Sequence, residues 1–81
     1  MDAQLPLALR KKYGLVHVPS RSRINRWCTG TRSGIESGLP PEAAGLQAAR
    51  EVFPYEAREI YEPDAESVEQ LLVREGSDHP L

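Results

Sequence analysis

The chain has 81 residues, ten basic and twelve acidic, for a net charge of −2. That length suits one small domain, and no stretch approaches the ~20 apolar residues of a membrane span. A single cysteine excludes an internal disulfide, and one Cys with two His falls short of the usual four-ligand structural zinc site.

The charge is unevenly spread. Residues 1–32 carry seven basic side chains against Asp2 alone, a net of +6, and residues 33–81 carry three basic against eleven acidic, a net of −8. Such a split fits a polyanion-facing head with an acidic remainder, or two halves that fold together and neutralise each other. The first residues have an acidic side chain before a short apolar run, the wrong order for a secretory signal. The expected compartment is the cytoplasm, which also suits the lone thiol.

Residues 4–13 read as a helix. Leu5, Leu9 and Tyr13 are spaced i, i+4, i+8 with Ala8 beside them. Pro6 is tolerated near a first turn, and Arg10, Lys11 and Lys12 suit the C-terminal end of the helix dipole. Gly14 is the stop signal. Residues 15–18 alternate as a short extended or β segment, closed by Pro19, and His17 there reads as structural.

Residues 20–30, SRSRINRWCTG, hold the only Trp and the only Cys. Read as a helix, they place Ile24, Trp27 and Cys28 on one side and Ser22, Asn25, Arg26 and Thr29 on the other. Ser20 or Ser22 can cap the start, and Gly30 stands where a left-handed C-terminal cap is wanted. Arg and Asn are the side chains that contact guanine and adenine edges with two hydrogen bonds. A strand over residues 23–28, turning at Thr29-Gly30-Thr31, is the structural alternative. An ordinary solvated helix face is the functional one. Cys28 reads as a small buried apolar residue.

Residues 31–38, with Gly34 and Gly38, read as a loop that puts Arg32 in reach of a phosphate. Residues 39–53 read as a helix with Pro40 and Pro41 at its start and Glu42 in its first turn. Leu46, Ala49, Val52 and Phe53 form its apolar stripe. Gly45 weakens its interior by up to about 1 kcal/mol relative to Ala and marks a close contact with another element. Pro54 ends it. Residues 55–62 fit helix or strand. Asp64 is a candidate N-cap for a last helix running to Glu75, with Ala65, Val68, Leu71 and Leu72 on its apolar side and Gly76 as its stop. The expected fold is mainly α, with a small α+β fold as alternative: three to four short helices and a short extended segment or small hairpin. It spans residues 1–76 as one domain, with residues 77–81 a frayed tail. A core this small leaves room for a homodimer or another partner to add to it.

No Gly-rich phosphate loop or nucleophile elbow is present, and the carboxylates lack a His or metal constellation. The sequence therefore points away from an enzyme and calls for no cofactor. The pattern of Ser20, Ser22, Ile24, Arg26, Trp27, Gly30 and Pro40 resembles the second helix and following loop of small winged helix-turn-helix proteins, the phage excisionases and MerR-like regulators. Residues 58–61 would then be similar to the wing strand and residues 64–72 to the closing helix. The resemblance implies a DNA-bending accessory factor or a repressor from a phage or other mobile element.

Two functions are expected on these grounds. One is a regulator of double-stranded DNA, with Ser22 in the contact surface, Asn25 and Arg26 toward the bases, and Arg21, Arg23, Arg32, Lys11 and Lys12 on phosphates. The other is a small inhibitor or antitoxin-type protein whose acidic half, with Glu56, Glu59 and Glu62, faces a basic site on a host protein.

Overall fold

The computed structural model describes residues 3–54 and 65–76. Within them lie four helices and no strand, so the fold is mainly α. Helix α1 is Leu5–Tyr13. Gly14 ends it in the left-handed conformation at φ 62°, and Leu15 N–H donates to the Arg10 carbonyl at 3.0 Å. That bond closes the last turn around a residue without a Cβ. The link to the next helix is not the β segment its alternation suggests. Leu15 and Pro19 are buried, while Val16 and Val18 are exposed and pair with no strand.

Helix α2, Arg21–Glu36, is the longest described element at 16 residues. Ser20 caps it, its hydroxyl accepting from Arg23 N–H at 3.3 Å. Neither the hairpin alternative nor the expected stop at Gly30 is found. The helix runs through Gly30 and Gly34, across the segment that reads as a loop. Both glycines lie against the next helix. A Cβ on Gly30 would sit 3.3 Å from Ala48 Cβ, and one on Gly34 would sit 2.9 Å from Ala44 Cβ. Each glycine costs an isolated helix about 1 kcal/mol. The close approach it permits between two backbones offsets that cost through dispersion and apolar burial. The end of the helix comes at the last glycine of the expected loop. Gly38 adopts φ 107°, and Leu39 N–H donates to the Gly34 carbonyl at 3.0 Å, the same closure that ends α1.

Helix α3, Pro41–Val52, follows and packs antiparallel along α2. Its start falls two residues after the expected one, at the second proline, and Phe53 N–H closes it on the Ala49 carbonyl at 2.7 Å. Trp27 crosses this seam and donates its indole N–H to the Gly45 carbonyl at 3.0 Å. Gly45 is the expected close contact: a Cβ there would lie 2.6 Å from Tyr13 Oη and 2.6 Å from a Val68 methyl. Helix α4, Val68–Gly76, starts later than the sequence suggests, with Ser67 at its cap, and the expected cap Asp64 lies outside the described residues. The Ser67 hydroxyl accepts from Gln70 N–H at 3.2 Å.

The core gathers Leu5, Leu9 and Tyr13 of α1, Ile24, Trp27 and Cys28 of α2, Ala48, Ala49, Val52 and Phe53 at α3, and Val68 and Leu71 of α4. The Tyr13 and Trp27 rings meet within it, 6.0 Å apart and tilted by 59°. Offset, tilted rings are the favoured geometry for such a pair. Leu46 and Leu72 are half-buried at the edge. Among the described residues no helix is long and apolar enough to cross a membrane. The segment 55–62, with its helix-or-strand ambiguity, and the expected tail 77–81 lie outside the described residues.

Candidate nucleic-acid interface

The burial of one side of α2 defines its other side. Ile24, Trp27 and Cys28 point into the core, so Ser22, Asn25, Arg26 and Thr29 are held outward. Arg21 and Arg23 are exposed beside them. Asn25, Arg26, Thr29 and Gly30 line one shallow depression, and His17, Val18, Pro19, Ser20 and Arg23 line another at the start of the helix. No acidic side chain occurs on α2 before Glu36, in its last turn. The first two turns therefore present hydrogen-bond donors and positive charge on a rigid support, braced from behind by α3.

Lys11 is exposed at the end of α1, as expected for a phosphate contact. Lys12 is not. It lies three residues beyond Leu9 on the buried face of α1 and is 3 % exposed. Its Nζ lies 2.9 Å from Glu42 Oε1 and donates to the Glu66 carbonyl at 2.9 Å. Burial of an ammonium is tolerable only with such partners. Glu42, in the first turn of α3, uses its other oxygen to accept from Val68 N–H at 2.8 Å. This one carboxylate joins the end of α1 to the start of α4. Sequence reasoning places Glu42 only in the first turn of its own helix and misses this wider role. A carboxylate just after two prolines, with a distant helix start needing acceptors, is the available signal.

Arg32 is half-exposed, and its Nη1 donates to Glu75 Oε1 of α4 at 2.6 Å. Lys12 and Arg32 are thus tied to carboxylates of the acidic half, as a mutually neutralising fold requires. On the outer face of α2, Ser22, Asn25, Arg26 and Thr29 are exposed. Cys28 sits beneath, 2 % exposed. Burial pushes its thiol up to about 11, Glu75 adds to the rise, and Arg32 opposes it. Such a thiol stays protonated near neutral pH and is a poor nucleophile. Among the described residues no cluster of His, Cys, Asp and Glu could hold a metal ion.

Glu56, Glu59 and Glu62, the residues expected to face a protein partner, lie outside the described residues, as does the segment 58–61 compared with a wing strand. No protein family, curated protein or solved structure matches the chain. Function must therefore be sought in the chemistry of the α2 face itself.

Proposed function

We propose that the protein is a small, non-enzymatic DNA-binding regulator of the kind a phage or other mobile element carries. The observation that supports this is the outer face of α2, where Ser22, Asn25, Arg26 and Thr29 are exposed with no carboxylate among them. A helix with one side packed and the other projecting fits a major groove about 12 Å wide. Asn25 and Arg26 read base edges, while Arg21, Arg23 and Lys11 hold phosphates. With Lys12 buried and Arg32 paired, the resting protein offers fewer phosphate contacts than the sequence suggests.

Fluorescence anisotropy with DNA duplexes over a salt series tests the proposal. Three to four phosphate contacts give a log–log salt slope of about −3 to −4. Arg26→Ala should weaken binding to a preferred sequence by about 1–3 kcal/mol and leave the slope nearly unchanged. Absence of binding to every duplex at low salt overturns the reading. Capture of a host protein that depends on Glu56, Glu59 and Glu62 would then put the inhibitor reading in its place.

A further inference from the structure

Among the candidate phosphate ligands, Arg32 is half-exposed and at the same time engaged by a carboxylate. It lies on the ridge formed by Arg21, Asn25, Cys28 and Arg32, spaced i, i+4, i+7, i+11, at the edge of the outer face of α2. Glu75 meets it there at 2.6 Å, with 46 % of the Arg32 side chain and 25 % of the Glu75 side chain exposed. The two ends of α4 are held differently. Its start is anchored by the buried Val68 and Leu71 and by the Val68 N–H bond to Glu42. Near its end, Val73 is 71 % exposed, and the Glu75 contact with Arg32 ties the last turn to α2.

A carboxylate oxygen at 2.6 Å from a guanidinium occupies the place a phosphate oxygen would take, because both are anionic acceptors of the same hydrogen bond. We propose that Glu75 is an autoinhibitory phosphate mimic. It holds Arg32 in the resting protein, and DNA displaces it. The proposal rests on the DNA-binding reading of α2. Magnitudes favour displacement, since a partly exposed ion pair shifts an equilibrium by only about two- to fivefold. A polyanion gains counterion release when it takes over the same Arg.

The test compares wild type, Glu75→Gln, Arg32→Gln and the double variant with a random-sequence DNA duplex over a salt series. Circular dichroism confirms that each variant keeps its helices. Glu75→Gln should bind about two- to fivefold tighter at low salt with the slope nearly unchanged, because Arg32 meets a phosphate in both complexes. The double variant should bind no tighter than Arg32→Gln, because the gain acts through that one Arg. If wild type binds but Glu75→Gln gains nothing, the proposal is overturned and the DNA-binding reading stands. The proposal also falls if the gain survives in the double variant. If wild type binds no duplex, the DNA-binding reading fails and this role for Glu75 fails with it.

Discussion

The seam between α2 and α3 and the seat of α4 are built on opposite principles. The seam is made of small residues. Gly30 and Gly34 face Ala48 and Ala44, so close that a single added carbon would be tight at Gly30 and would collide at Gly34. It runs along both helices, and Trp27 stitches it with one indole hydrogen bond. The seat of α4 rests on two fully buried side chains, Val68 and Leu71, and on polar contacts from Glu42 and Arg32. Close packing of backbones has no partial state, because a gap of about an ångström forfeits much of the dispersion gained. A seat held by a few hydrogen bonds and ion pairs can open locally at much lower cost. The rigid part thus carries the candidate DNA-reading face, and the part that can yield carries the acidic contact beside it.

The largest expected effect is on the seam. Gly34→Val puts a branched side chain where Ala44 Cβ would stand 2.9 Å, and Ala44 Cα 3.4 Å, from its first carbon. Neither atom is the end of a flexible side chain, so the helices must part. The expected loss is about 2–3 kcal/mol in chemical denaturation. A wild-type midpoint would show that the seam is not close-packed. A smaller and more local effect is expected at the seat. Glu42→Ala removes the acceptor for Val68 N–H and the carboxylate beside the buried Lys12, at a cost of about 1–3 kcal/mol. Native-state hydrogen exchange should show α4 amides losing protection while the central turns of α2 keep theirs. Equal loss in both would erase the distinction between the two regions.

The smallest effect concerns Cys28, which lies where the two regions meet. Its folded pKa of about 11 exceeds the ordinary 9.0. Below pH 9 both folded and unfolded thiols keep their proton, so the contribution to stability is intact. Between pH 9 and 11 the unfolded chain ionises first, and folding stability falls. The stability difference between wild type and Cys28→Val should be flat below pH 9 and move against wild type above it. A difference that stays flat to pH 11 would mean that the thiol ionises as easily in the fold as outside it.

Much of the fold is legible in the sequence where one rule acts on one element. The bounds of α1 follow from Leu5, Leu9, Tyr13 and Gly14, and those of α3 from its flanking prolines. The inward side of α2 follows from Ile24, Trp27 and Cys28, and its outward side from the same spacing. The rule that glycine ends a helix fails at Gly30 because it weighs only local conformation. Gly30 and Gly34 are in α2 for what faces them, and Gly38 is the residue with the left-handed backbone. Arg10, Lys11 and Lys12 read as one basic run. A run in sequence turns by about 100° per residue on a helix, so its third member faces inward. Of the candidate site, the outer face of α2 is visible in the sequence, and the engagement of Arg32 by Glu75 is not.

The sequence by itself therefore determined which segments are helical by periodicity, which side of each is apolar, and that positive charge gathers in the first 32 residues. These are properties of neighbours along the chain. The tertiary structure decided how long α2 is, which lysine is buried, and which carboxylates meet Lys12 and Arg32. Each of those joins residues far apart in sequence, Lys12 to Glu42 and Glu66, Arg32 to Glu75 and Gly34 to Ala44. The free energy of such a contact exists only once the helices that carry it are already packed, so no local pattern of residues encodes it.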